Sequence, residues 1–310
     1  MMKIALAGGS GYLGSHIRCN LERLKGVSVH NISLRRSTEA GKGSSEGVAF
    51  YDQIEGRKEL VGVDTVIFAA SVNASGCNVD PVFAKEISCT RKARTVERLG
   101  SMGLKRVVNL SSIHVYGKKV GEVISERVSP NPDSAYGRIH YECENLLEQI
   151  TGRGRLEFAN FRLSNVYGFM LNNKESPAWD LVANDFARQL AMHTKVKVRM
   201  PNEVRNFVPL SRVVNLTTKV AMNGLSGEGY NTLNLSSSCS LALSSLRAYL
   251  ERVRVGEEKR TFIRDYTCVE PRYEYSRAML ELGMECNRET EEVESEFEQL
   301  VKVADKLWKG

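Results

Sequence analysis

Apolar positions in the first half of the chain come in short runs separated by helical spacing, and the two patterns alternate. Ile4-Ala5-Leu6-Ala7 is a strand-length apolar run, entered from Lys3, and Leu13, Ile17, Leu21 and Leu24 follow at the three-to-four spacing of one helix face. Val27–Leu34, Val48–Tyr51 and Thr65–Ala69 read as further strands, and a helical stretch runs from Val82 to Leu99. Arg106–Leu110 is the next strand, Ser134–Ile150 a helix with Cys143, Leu146, Leu147 and Ile150 on its buried face, and Leu156–Phe161 a strand again. Such alternation predicts an α/β fold of Rossmann type: a doubly wound parallel sheet with helices on both faces and ligands at the carboxyl ends of the strands.

Beyond Tyr167 the pattern loosens. A helix near Trp179–His193, a strand at Val196–Arg199 and mixed pieces up to Pro271 predict a smaller α/β lobe on the C-terminal side that binds substrate. No clean linker separates it. The division is therefore residues 1–167 for the Rossmann-type domain and 168–310 for most of the second lobe, partly interleaved with the first. Glu289–Trp308 is charged and amphipathic, a surface helix.

The junction of the first strand and helix carries the first chemistry. Gly8-Gly9-Ser10-Gly11-Tyr12-Leu13-Gly14 places three glycines three apart, at 8, 11 and 14, directly after a strand and directly before a helix. The first permits a tight turn, the second lets backbone approach a phosphate, and the third lets the helix pack closely with its N-terminal N–H groups facing the anion. Gly8, Ser10, Gly11, Tyr12, Leu13 and Gly14 are thus expected to hold a dinucleotide pyrophosphate. In a NAD site the second strand usually ends in an acidic residue that binds the adenosine ribose. Here it ends Leu34-Arg35-Arg36-Ser37, and guanidinium groups suit a 2′-phosphate, so NADP(H) is favoured over NAD(H). Asp52, just past the third strand, is a candidate partner for the adenine amino group.

Composition narrows the classes. A formal charge of +6 is spread along the chain instead of gathered in a block, which argues for a solvated surface and against nucleic-acid binding. Seven cysteines lie scattered with no Cys-x-x-Cys pair, so neither a metal site nor a disulfide framework is indicated and reduced thiols in a cytoplasm are expected. The first strand starts at residue 3, leaving no room for a signal peptide, and no apolar run is long enough for a bilayer.

Arg106-Val107-Val108-Asn109-Leu110-Ser111-Ser112-Ile113-His114-Val115-Tyr116-Gly117 delivers hydroxyls to the carboxyl end of a strand, and Ser134-Ala135-Tyr136-Gly137-Arg138-Ile139-His140 opens the next helix. With the glycine turn, Ala69-Ala70 after the fourth strand, Arg162-Leu163-Ser164-Asn165-Val166-Tyr167-Gly168 and Arg205-Asn206-Phe207-Val208, the chain resembles the extended short-chain dehydrogenase/reductase family, in its sugar-nucleotide epimerase, dehydratase and reductase branch. The resemblance covers nearly the whole chain. It implies hydroxyl–ketone interconversion with Tyr136 as acid/base, Ser112 hydrogen-bonding the same oxygen, and Ala69 beside the coenzyme. Ser111 reads as a structural hydroxyl at the strand end.

Two positions depart from the family pattern. His140 occupies the place of a lysine that binds the nicotinamide ribose and lowers the tyrosine pKa, and Glu86 stands where an asparagine helps organise the proton relay. Tyr136, His140 and Glu144 share one helix face at four-residue spacing, so Glu144 is a candidate to keep His140 protonated, against a neutral His140 that only contacts ribose. Sugar-nucleotide 4,6-dehydratases of the family carry an Asp-Glu pair after the serine. Ile113-His114 replaces it, which disfavours dehydration, and His114 is either a second acid/base, a substrate hydrogen-bond donor or a structural histidine. By resemblance Asn165, Arg205 and Arg264 contact a nucleotide-sugar substrate, although Asn206-Phe207-Val208-Pro209-Leu210-Ser211-Arg212 departs visibly from the family's stretch there.

The expected activity is NADP(H)-dependent reduction of a 4-keto sugar nucleotide. A sugar-nucleotide 4-epimerase or epimerase-reductase is the alternative, and a coenzyme-binding sensor or scaffold without turnover a second. Homodimerisation through helices flanking the sheet is common in the family.

Overall fold

The computed structural model describes residues 1–35, 48–118, 123–152, 156–168, 177–192, 195–225, 231–237, 240–256, 272–273 and 289–309. Two compact units divide the chain. The first comprises Met1–Lys118, Ser129–Arg162 and Val214–Leu233, and the second Lys119–Val128, Leu163–Val213 and Asn234–Gly310.

In chain order the first unit opens with β1 (Met2–Ala7), α1 (Tyr12–Glu22), β2 (Val27–Ser33), β3 (Ala49–Phe50) and β4 (Thr65–Phe68). Short helices α2 (Ala74–Val79) and α3 (Pro81–Lys85) follow, then a π-helical segment Glu86–Thr90 that leads into α4 (Arg91–Ser101). Next come β5 (Arg106–Ser112), a 3₁₀ turn at Ile113–Tyr116, β6 (Val123–Ile124), α5 (Ala135–Thr151) and β7 (Glu157–Leu163). The remaining elements are β8 (Asn165–Tyr167), α6 (Val182–Ala191), β9 (Val204–Pro209), α7 (Leu210–Asn223), β10 (Thr232–Leu235), β11 (Ser240–Ala242), α8 (Leu243–Val255), β12 (Arg272–Tyr273) and α9 (Glu289–Lys309).

One seven-stranded sheet has the order β10-β7-β5-β4-β1-β2-β3, and the pairs β1–β2, β1–β4, β2–β3 and β4–β5 are parallel. Its inner strands are covered on both faces, which is why they read as continuous apolar runs: Ile4 to Ala7 and Val66 to Phe68 are fully buried. This is the Rossmann-type architecture expected from the sequence.

Local departures have identifiable causes. Leu24 does not extend the α1 face, because the helix is capped at Arg23 and Leu24 is exposed. The third strand shrinks to Ala49–Phe50 as Tyr51 begins a 3₁₀ turn. The strand expected at Val196–Arg199 is absent: Val196 is buried, but the Lys197 N–H is taken by the Gln189 side chain (2.9 Å), so the alternation has no ladder to join.

In the second unit, β11, β9 and β8 form a small sheet, and α9 buries Val293, Phe297, Leu300, Val301 and Ala304. Phe297 stacks on Tyr167 at 3.8 Å between ring centroids. From the same helix Glu296 accepts from the Ser211 N–H (3.2 Å) and Ser211 hydroxyl (2.5 Å), capping the first turn of α7 with a carboxylate.

Candidate active site

The glycine turn after β1 has the shape that its spacing predicts. Gly8 adopts φ +94°, and a Cβ there would meet the Ala70 nitrogen at 2.8 Å. A Cβ on Gly14 would lie 2.0 Å from the Gly8 carbonyl oxygen, so only glycine lets α1 sit this close to the turn. Gly11, the N-cap of α1, has no side chain with which to cap the helix. The residues present fit a dinucleotide pyrophosphate: a cradle lined by backbone that any side chain would fill, facing a helix N-terminus. Ala69 and Ala70 flank that cradle, Arg35 follows β2 and is exposed, and Asp52 sits in the 3₁₀ turn after β3. Arg36 and Arg264 lie outside the described residues.

At the carboxyl end of β5 two elements converge. Ser134 caps α5 by accepting from the Gly137 N–H (3.1 Å), and Gly137 lies against the 3₁₀ turn so closely that a Cβ would stand 2.3 Å from the His114 carbonyl oxygen. That contact sets Tyr136 beside β5, where its phenol and the Ser112 hydroxyl hydrogen-bond. Ser112 also accepts from the His114 N–H at 3.3 Å. Burial pushes the Tyr136 phenol up to about 12, with the Ser112 bond acting against it. The His114 ring is exposed and lies edge-on to Tyr136 with centroids 5.7 Å apart, and the His140 ring lies 4.4 Å from Tyr136.

His140 is not the cation that the helix spacing allowed. It is 4 % exposed, and its pKa falls from 6.5 to about 3, first through burial and then through the positive charges of Lys92 and His114. Glu144, one turn on, is spent elsewhere. Arg162 from β7 grips it with Nη2 at 2.7 Å and Nε at 3.1 Å, and the Ser111 hydroxyl donates to it at 2.5 Å. Arg162 also donates to the Tyr116 hydroxyl (2.8 Å) and lies over that ring. The idea that Glu144 sustains a charged His140 is therefore corrected: a guanidinium outcompetes an imidazole for the same carboxylate. Glu86, in the π-helical segment, pairs with Arg91 at 3.2 Å and Arg94 at 3.5 Å.

Several residues of this network escaped the sequence reading. Lys92 is fully buried and donates to Asn109 Oδ1 (3.0 Å), Asn109 donates to Asn160 (2.8 Å), and Asn160 to Thr232 (3.3 Å), a polar ladder across β5, β7 and β10. Burial holds the Lys92 ammonium below its ordinary pKa. The Ser71 hydroxyl lies 3.2 Å from His140 Nε2 and 3.1 Å from the Ser88 hydroxyl.

In the second unit, Asn165 uses its amide to donate to the Asn206 carbonyl (2.8 Å), bridging β8 and β9. Arg205 pairs with Glu203 at 3.1 Å. Both expected substrate contacts thus have partners within their own unit.

A family model described as the NAD dependent epimerase/dehydratase family matches residues 4–235. The chain belongs to this family. Curated relatives of the epimerase/dehydratase chain include a Methanocaldococcus jannaschii protein provisionally named UDP-glucose 4-epimerase, 26% identical over 174 residues that cover 53% of this chain and 56% of the relative. A UDP-glucose 4-epimerase of Lacticaseibacillus casei is 25% identical over 177 residues, covering 54% and 53%. The chain spans about half the length of the curated relatives it matches. Among solved structures, MoeE5 in complex with UDP-glucose and NAD superposes with a TM-score of 0.77 at 19% identity over 98% of this chain and 99% of that one. RMD from Pseudomonas aeruginosa complexed with NADPH gives 0.74 at 15% identity over 99% of both chains. These likenesses show a shared fold. No described helix is long and apolar enough to cross a membrane.

Proposed function

We propose that this epimerase/dehydratase-family chain interconverts a secondary hydroxyl and a ketone on a nucleotide-activated sugar, with epimerisation at C4 as its reaction. The observation that carries the reading is the hydrogen bond between Ser112 and the Tyr136 phenol, set at the carboxyl end of β5 in the unit that also holds the glycine cradle. Curated relatives named as UDP-glucose 4-epimerases support epimerisation over the simple 4-keto reduction expected from the sequence.

The cradle at Gly8, Gly11 and Gly14 would hold the coenzyme pyrophosphate, with Arg35 at the adenosine ribose favouring NADP(H). When bound, an oxidised nicotinamide supplies a hydride acceptor and a positive charge. Tyr136, half-buried and holding its proton, is set to donate to a carbonyl oxygen, and Ser112 orients that oxygen. To accept a proton near neutral pH the phenol needs a positive charge close by, which a neutral His140 does not provide. His114 is the second candidate acid/base, and assembly as a homodimer is proposed on the family's habit.

A second reading, NADP(H)-dependent 4-keto reduction, is favoured by Arg35 and by the proton-holding phenol. One experiment separates them. The chain is incubated with UDP-glucose or UDP-galactose and either coenzyme, and anomeric proton NMR is read alongside the absorbance of reduced nicotinamide. Interconversion without net coenzyme change, lost in Tyr136→Phe, is the expected result. Stoichiometric NADPH consumption with a 4-keto sugar would make it a reductase. Coenzyme binding without turnover of any such sugar would leave the sensor or scaffold reading.

A further inference from the structure

Two ties hold the π-helical segment Glu86–Thr90 against α5, and thiols from both elements meet there. Just before the segment, Lys85 pairs with Glu142 at 2.7 Å. Within it, Ser88 accepts from the Ser71 hydroxyl at 3.1 Å, and Ser71 lies 3.2 Å from His140 Nε2. Cys89 follows Ser88 directly, and Cys143 follows Glu142 directly. Both cysteines are free, buried and part of one core cluster. The Cys89 thiol donates a hydrogen bond to the Cys143 sulfur.

Neither sulfur takes part in the Tyr136–Ser112 pair, yet their surroundings are not those of inert core thiols. The ammonium of Lys92, fully buried, acts on both. Within the pair the proton stays on Cys89: the bond to Cys143 and burial push that thiol up, Glu142 adds to them, and Lys92 opposes. Cys143 is drawn down by the Cys89 S–H and by Lys92, against burial and the neighbouring Glu144. A thiolate beside an ammonium, with a second thiol already in contact, suits oxidation that ends in a disulfide instead of a higher oxide. A cleft of about 420 Å³ runs alongside, lined by Glu86 and Thr90 on one side and Ile139 and Glu142 on the other. It gives a molecule as small as a peroxide a path to the helix contact.

We propose that Cys89 and Cys143 are a redox-active thiol pair, which hydrogen peroxide converts to a disulfide that clamps the π-helical segment to α5. The Cys143 thiolate attacks one peroxide oxygen, the O–O bond breaks, and the departing hydroxide takes up the proton that Cys143 had released. Cys143 is then a sulfenic acid. The Cys89 sulfur attacks the Cys143 sulfur, the S–O bond breaks, and hydroxide leaves as a second water with the Cys89 proton. The two sulfurs lose two electrons in all, and the peroxide gains them. Closing residues 89–143 into one loop constrains the unfolded chain and so stabilises the fold. The thiol pair does not depend on the activity proposed above.

Peptide mapping of the full chain tests it. Reduced protein is treated with hydrogen peroxide, quenched with catalase, unfolded in N-ethylmaleimide and digested without reductant for mass spectrometry. A peptide pair joined through Cys89 and Cys143, and released by dithiothreitol, is the expected product. Recovery of both as maleimide adducts, at a dose that oxidises the half-buried Cys19, overturns the proposal. So does either cysteine joined to a third one or carried on to sulfinic acid. The disulfide form should also melt about 3–6 °C above the reduced form, a gain that dithiothreitol reverses and that Cys89→Ser and Cys143→Ser do not show. A disulfide form that melts no higher holds no clamp, and the same gain in either variant assigns it to other cysteines; each result sinks the inference.

Discussion

Arg162→Met offers the sharpest test of the buried network. The side chains of Arg162 and Glu144 are 8% and 5% exposed, so the substitution strands a carboxylate in the interior with the Ser111 hydroxyl as its remaining donor among the bonds described. Breaking one side of a buried ion pair costs about 3–5 kcal/mol, far more than an exposed pair. For a chain of this length melting as one unit, that corresponds to a Tm lower by about 5–8 °C. Adding Glu144→Leu removes the stranded charge and should recover all but about 1–2 kcal/mol, the residue of lost bonds to Ser111 and Tyr116. The assay is urea unfolding of the two single variants and the double variant, followed by near- and far-ultraviolet circular dichroism. If Arg162→Met costs under about 1 kcal/mol, or the double variant is as unstable as the sum of the singles, the pair does not hold the site in the way argued.

Three further outcomes are expected. His140 has a folded pKa of about 3 against an ordinary 6.5, so the fold binds it only as the neutral ring; the stability this gives is complete above 6.5 and is lost as pH falls towards 3. Between pH 7 and pH 5 wild type should lose about 2 kcal/mol more than His140→Gln, read from paired denaturation curves, and parallel curves would contradict the buried neutral ring. Gly137→Ala drives a methyl into the His114 carbonyl and should cut turnover by about a hundredfold with coenzyme affinity kept, as Tyr136 shifts from Ser112; normal turnover would show that the close approach is not needed. Glu296→Ala uncaps α7 and should lower unfolding free energy by about 1–2 kcal/mol, with Glu296→Gln recovering part, whereas equal losses in both would mean that the acceptor oxygen is not what stabilises the helix.

What the sequence revealed was local. The glycine spacing between a strand and a helix specifies its own turn, and Ser112 and Tyr136 stand at the ends of elements whose directions follow from hydrophobic period alone. Helix geometry also told which residues stack beneath Tyr136, but not which neighbour each would choose. Glu144 faced His140 in the sequence and Arg162 in the fold, because β7 brings a stronger partner from outside the helix. The π-helical segment at Glu86–Thr90 adds a residue to the turn and aims Ser88 at Val72, a shift that no periodicity announces. Nothing in the local pattern marks Lys92; its buried ammonium is satisfied by Asn109, itself bonded to Asn160 on a strand remote in the chain. Alternation around Val196 met the requirement for a strand except a partner.

The order in which the central sheet is assembled has a consequence during synthesis. Its last strand, β10, is made of residues 232–235, yet it pairs beside β7, which ends at Leu163. A nascent chain must keep that strand's outer edge, and the side chain of Asn160, waiting while roughly seventy more residues leave the ribosome. Fragments cut near the middle of the chain should therefore be sticky and chaperone-dependent, and a dinucleotide-binding half expressed alone would need the stretch from Val214 to Leu235 supplied back to it.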